Sequence, residues 1–195
     1  MTSPAFLFLL EDDFIKILAI DQARNGAWSV FDYETKTLEA YGVFSFNNKD
    51  YTYAKAIRAI EELVDSLIKT YDISAVFIED IQLRVNVQSF KKLAQLQGVL
   101  INLFEKNEYL YDFVAPTQWQ NYCKARGRSS KEIKEKIKAL DLSGKKDSKI
   151  LSIQFVKEKF NVDTDNDNLS DAICIGYYAV NHFKLKGETV DGKKE

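Results

Sequence analysis

The sequence predicts an α/β domain, a mixed five-stranded sheet flanked by helices, and three observations lead to it. Three strand-like runs come first, joined by connections too short for a crossover, which makes them antiparallel. Helically spaced segments then alternate with two short, mostly apolar runs, the pattern of buried parallel strands. Acidic residues close two of the apolar runs, where a carboxylate is costly unless something cationic meets it.

Taken in order, Met1–Leu10 is apolar but short. It has no basic flank and no small-residue cleavage site, and Glu11-Asp12-Asp13 ends it, so it reads as an accessory strand or hydrophobic arm rather than a leader. Residues 15–21 are a central strand. Ala27–Asp32 and Leu38–Phe46, rich in Val, Phe, Trp and Tyr, complete a meander whose connections hold Asn25-Gly26 and Tyr33–Thr37. Tyr53–Thr70 carries Ala54, Ile57, Ile60, Leu63, Val64, Leu67 and Ile68 at helical spacing. Ile73–Glu79 returns as a buried strand, parallel to an earlier one through a right-handed crossover.

Gln88–Lys106 is a second helix with two apolar stripes. One runs Phe90, Leu93, Ala94, Gln97, Leu100, Ile101, Phe104, and the other adds Leu96, Val99 and Leu103. A second copy of the chain on the second stripe gives a homodimer; burial under the Phe6–Leu10 arm is the intramolecular alternative. Tyr109–Val114 is a last strand leading into Pro116-Thr117-Gln118-Trp119. Residues 124–147 read as a basic helix-and-loop insertion, and Ser148–Phe160 and Asp167–Phe183 as the final helices. Residues 1–183 thus form one domain, with 184–195 a polar tail of disordered composition.

A chain of 195 residues, 46% hydrophobic and 29% charged, buries a proper core. The sequence holds no membrane-spanning stretch, and its two cysteines, Cys123 and Cys174, read as free thiols of a cytoplasmic protein. The single histidine, His182, leaves little from which to build a zinc site or a His-based dyad. Net charge is −2, but Trp119–Phe160 holds twelve Lys and Arg against five acids. A basic block on an otherwise acidic chain suits phosphate binding; a solvated charged helix is the plainer reading.

Asp21 ends the run Ile17–Ile20, Glu79 ends Ala75–Ile78, and Asp167 and Asp171 open the last helix. If the first and fourth strands are neighbours, Asp21 and Glu79 lie at the carboxyl ends of parallel strands, where open α/β sheets place their working crevice. Asp171 shares a helical face with Ile175, Ala179 and His182. Asp167 is either a ligand or simply the helix N-cap, with Thr164 and Asp165 as competitors. Brought together, the carboxylates make an all-oxygen site for Mg²⁺ or Mn²⁺, the chemistry of metal-assisted phosphodiester cleavage.

The element order is that of the ribonuclease H-like fold, and the motifs resemble those of RuvC-type Holliday junction resolvases, most of all the versions carried by bacteriophages. The resemblance rests on Ile17-Leu18-Ala19-Ile20-Asp21, Phe77-Ile78-Glu79, Lys92–Val99, Pro116-Thr117-Gln118-Trp119 and Asp167–Ala172, and runs from about residue 15 to 180. It implies a homodimeric, metal-dependent endonuclease that nicks two strands of like polarity across a four-way DNA junction, using two divalent ions about 4 Å apart. Dimerisation would use the Gln88–Lys106 helix. Lys149 stands where the family keeps a catalytic lysine, with Lys131 as the alternative. Metal ligation falls to Asp21, Glu79, Asp171 and either Asp167 or Asn168, because Asn168 stands where the family has an acid. A second family lysine is Gln120 here. Arg84, Lys124, Arg126, Arg128, Lys131, Lys145 and Lys146 are the candidate DNA contacts, and Ile81, Leu83 and Arg84 suit a loop that wedges bases apart. The competing readings are a structure-selective DNA-binding protein impaired by Asn168, or another nuclease of this fold such as a packaging or hybrid-cutting enzyme. A two-lobed nucleotide binder is excluded by the short chain and its eight glycines.

Overall fold

The computed structural model describes residues 15–47, 49–82, 86–126 and 147–184. The sheet contains β1 (Lys16–Asp21), β2 (Asn25–Asp32), β3 (Leu38–Ser45), β4 (Ala75–Glu79) and β5 (Leu110–Val114), in the order β3-β2-β1-β4-β5. The first three strands pair antiparallel, while β4 runs parallel to both β1 and β5. The helices are α1 (Tyr53–Tyr71), α2 (Val87–Lys106), α3 (Pro116–Tyr122), α4 (Asp147–Phe160) and α5 (Asp167–His182). Among the described residues no helix is long and apolar enough to cross a membrane.

Period-two alternation in β1 divides the core. Ile17 and Ala19 face one side with Phe77, Trp119, Ile173 and Ile175, beneath α3, α4 and α5. Leu18 and Ile20 face the other side with Val64, Leu96, Leu100 and Phe104, beneath α1 and α2. All four β1 residues are fully buried, as the near-continuous apolar run requires of a central strand. The chain leaves α1 through Asp72, in the left-handed region at φ 53°, and re-enters the sheet as β4 beside β1.

Three expectations are corrected. Asn25 and Gly26 belong to β2, paired with Ser45 and Phe44, rather than to the turn, which is residues 22–24. A Cβ on Gly26 would lie 2.5 Å from the Asp21 carbonyl, so glycine lets β2 close against the end of β1. The helix α3 was not resolved by periodicity; Pro116 starts it, and Gln118 Oε1 accepts from the Ala115 backbone N–H at 2.8 Å. The two stripes of α2 resolve into one buried face, Leu96, Gln97, Leu100, Leu103 and Phe104, with Phe90, Leu93, Ala94, Val99 and Ile101 half-buried. His182, at the end of the Asp171 face, is exposed and stacks on Tyr178 at 4.1 Å. The Phe6–Leu10 arm, residues 127–146 of the basic insertion and the tail from residue 185 lie outside the described residues.

The helix α5 lies so close to β2 that a Cβ on Gly176 would come within 2.7 Å of the Phe31 ring and Ser29 Oγ. Ser29 Oγ is already engaged, donating to the Ala172 carbonyl at 2.8 Å. Gly176→Ala should therefore lower the melting temperature, although alanine favours a helix interior by about 1 kcal/mol over glycine. A thermal melt in which the variant is more stable would contradict this packing.

Candidate active site

Parallel pairing of Ile20 with Ile78 places Asp21 and Glu79, the next residue of each strand, side by side at the carboxyl edge of the sheet. Both lie on the face that α5 covers. Asn166 caps α5, its Oδ1 accepting from the backbone N–H groups of Asn168 (3.0 Å) and Leu169 (3.1 Å). The cap is therefore none of Asp167, Thr164 or Asp165. Asp167 instead occupies the first turn, where the positive end of the helix dipole favours a carboxylate. One turn further on, Asp171 lies on the same side of the helix.

Lys149, in the first turn of α4, meets both. Its ammonium is hydrogen-bonded to Asp171 Oδ2 and lies 3.4 Å from Asp167 Oδ2. Ser152, one turn along α4 and fully buried, donates to Asp171 Oδ1 at 2.7 Å, and Ser170 Oγ lies 2.9 Å from Ser152 Oγ. Asp171 is only 4% exposed, so both its oxygens are engaged where water scarcely reaches.

Glu79 is held differently. Its Oε1 accepts from the Trp119 indole N–H at 2.9 Å, and its backbone carbonyl accepts from Gln22 Nε2 at 2.9 Å. A cleft of about 280 Å³ opens beside it, between Gln22, Asp80 and Pro116 on one side and Asn86, Phe90 and Leu93 on the other. Asn168 Nδ2 donates to the Asn25 carbonyl at 3.1 Å, tying the start of α5 to the start of β2.

The charges are coupled. Burial, then Glu79 and Asp171, push the Asp21 carboxyl well above the usual range; Lys149 opposes them and Asp167 adds to them. Burial likewise raises Asp171, although Lys149 and Ser152 stabilise its ionised form. Burial disfavours the Lys149 charge, but Asp171, Asp21 and Asp167 outweigh it and hold the ammonium above its ordinary value. Among the described residues no three acidic side chains close into a metal cage. Their mutual repulsion is met by an ammonium that takes two of them. The donor type, carboxylate oxygen, nevertheless suits a hard divalent cation.

All five residues expected to be catalytic thus lie in one electrostatic group. Gln22, Ser152 and Ser170 escaped sequence reading because a serine or glutamine beside an acid is unremarkable until burial leaves it no water. Trp119 stood in a recognised motif, but its indole N–H gained a partner only through folding. Of the basic candidates, Lys124 and Arg126 are exposed just beyond α3. Arg84, Arg128, Lys131, Lys145 and Lys146 lie outside the described residues, as does Leu83 of the proposed wedge.

A family model described as Crossover junction endodeoxyribonuclease RuvC matches residues 17–175. The chain belongs to this family. The Crossover junction endodeoxyribonuclease RuvC of Sulfurovum sp. (strain NBC37-1) is 29% identical over 158 residues, covering 73% of this chain and 98% of that protein. The fold is similar to that of Thermus thermophilus RuvC solved with a Holliday junction substrate, at TM-score 0.61 and 12% identity over 84% of this chain and 92% of that one. It is also similar to the yeast mitochondrial Holliday junction resolvase, at TM-score 0.57 and 12% identity over 90% of this chain and 83% of that one. The mixed sheet with its flanking helices is thus the ribonuclease H-like architecture of these resolvases.

Because its folded-state pKa is raised, Asp21 subtracts stability once pH exceeds the range in which the unfolded chain is protonated, about pH 4. Asp21→Asn should therefore melt higher than the unsubstituted protein at pH 7 without divalent ions, by about 2–4 °C per kcal/mol relieved. The difference should close below about pH 4. Equal or lower melting at pH 7 would mean that Asp21 is not crowded.

Proposed function

We propose that the chain is a metal-dependent crossover junction endodeoxyribonuclease that resolves four-way DNA junctions by nicking two strands symmetrically as a homodimer. The observation that carries this reading is the convergence of Asp21, Glu79, Asp167 and Asp171 with Lys149 at the carboxyl ends of β1 and β4, in a member of the RuvC family. Mg²⁺ or Mn²⁺, two ions per site, would be held by Asp21, Glu79 and Asp171 with Asp167 or Asn168. Bound divalent ions supply Lewis acidity and an activated water. Lys149, kept protonated by its acidic neighbours, supplies positive charge against the phosphate as negative charge builds on it. Ser152 keeps Asp171 oriented while the lysine does so. Lys124 and Arg126 begin the basic block that would grip the junction arms, so junction binding weakens with salt. The bacteriophage branch, and hence the cytoplasm of a bacterial host, rests on the sequence motifs.

Homodimerisation is supported by α2. Phe90, Leu93, Ala94 and Ile101 stay half-buried there, and Gly98 is exposed, with nothing among the described residues, beyond its chain neighbours and its own helix backbone, within 4 Å of where its Cβ would lie. A glycine in the middle of such a surface lets a second helix approach closely.

Synthetic four-way junctions and linear duplexes of the same sequence, each with Mg²⁺ and with Mn²⁺, test the activity. The junction should be nicked and the linear duplex spared, and Glu79→Gln or Asp171→Asn should abolish nicking while junction binding persists. Tight binding with no nicking in either metal would instead favour a junction-binding protein, the reading that Asn168 supports. Gly98→Leu should remain folded yet sediment as a monomer at concentrations where the unsubstituted protein is dimeric. A dimer of unchanged affinity would place the interface elsewhere.

A further inference from the structure

We propose that Trp119 and Gln22 are positioning residues that set the location of the Glu79 carboxylate relative to Asp21 and Asp171. The proposal rests on the nuclease reading above and adds two residues to its machinery. Glu79 is the last residue of β4, where strand pairing ends, and a glutamate there has three rotatable bonds to arrest. Both observed constraints come from buried groups. The Trp119 indole, 1% exposed, is locked in the core with Cys123, Ala125 and Cys174, and its N–H, which can only donate, ends on Glu79 Oε1 at 2.9 Å. A buried ring with fixed orientation restricts where the accepting oxygen stands.

Gln22 acts on the backbone. It directly follows Asp21, is 4% exposed, and donates from Nε2 to the Glu79 carbonyl at 2.9 Å. The ends of β1 and β4 are thereby joined beyond their last paired residues, Ile20 and Ile78. Gln22 Oε1 is buried with no hydrogen-bond partner among the described residues. An apolar side chain would fill that space without stranding an acceptor, so bulk alone does not account for the glutamine. The third acid-bearing element is linked as well, because Cys123, capping α3, donates from Sγ to the Cys174 carbonyl of α5 at 3.6 Å. Helix α3 thus bridges the helix bearing Asp171, through Cys123, and the strand bearing Glu79, through Trp119.

The test replaces the donor while keeping the shape. Benzothienylalanine incorporated at position 119 keeps the fused ring but puts sulfur in place of N–H; Trp119→Phe and Gln22→Leu are the encoded counterparts. Expected are a fall of about 10- to 100-fold in kcat for junction nicking, a higher Mg²⁺ concentration for half-maximal rate, and unchanged junction affinity in variants that melt cooperatively. Fluorescence gives a readout independent of turnover. The chain has two tryptophans, so Trp28→Phe leaves Trp119 as the sole tryptophan, which excitation at the red edge selects over the tyrosines. Mg²⁺ should then shift its emission, and a further Glu79→Gln should remove the shift. Benzothienylalanine-119 protein that nicks at the unsubstituted rate with unchanged Mg²⁺ dependence overturns the proposal, as does a loss of rate that only follows the loss of folded protein. If the unsubstituted chain nicks no junction, the nuclease reading fails, and the Mg²⁺ response of Trp119 decides the positioning role by itself.

Discussion

Carboxylates crowded at one edge of a buried sheet repel one another, and the rest of the site is arranged around that repulsion. Asp21 is the residue most affected: burial raises its pKa first, and Glu79, Asp171 and Asp167 raise it further. The relief on hand is cationic, through Lys149 on Asp171 and Asp167. A fold that tolerates this cost holds a standing demand for positive charge, which suits a centre that handles divalent ions and phosphate. On the proposed nuclease reading, stability and activity pull in opposite directions at Asp21.

Rigid surroundings make such crowding sustainable. The central strand β1 is buried on both faces, so its end cannot retreat from the charge it carries. Across the sheet, α5 is seated through Gly176 against Phe31 and Ser29, which fixes Asp171 with respect to β1. Buried donors complete the frame: Ser152 on Asp171, Trp119 on the Glu79 side chain and Gln22 on its backbone. Each comes from a different element, so the site depends on several parts of the fold being present together.

Much of this was legible in the chain itself, for physical reasons that differ by residue. A glutamate closing Ala75–Ile78 is conspicuous because strands and cores both disfavour it. Asp171 stood out through the helical register of Ile175 and Ala179. The capping of α5 by Asn166 was missed because Asp165, Asn166 and Asp167 are all good caps, and only backbone geometry chooses among them. Asn25-Gly26 imitates a hairpin turn, yet long-range pairing with β3 draws it into β2. The helix α3 is too short for periodicity to reveal.

Local pattern was enough to indicate the α/β class, the order of the strands and longer helices and the acids worth suspecting, because apolar periodicity and misplaced charge are properties of neighbours along the chain. Lys149 was singled out by the family resemblance, with Lys131 as the alternative. Only the tertiary structure decided that Lys149 bridges Asp167 and Asp171, that a tryptophan 40 residues away holds Glu79, and that one face of α2 is buried while the other stays half-covered. Those are contacts between distant segments. Their existence depends on which groups burial leaves without water, and burial is a property of the folded whole.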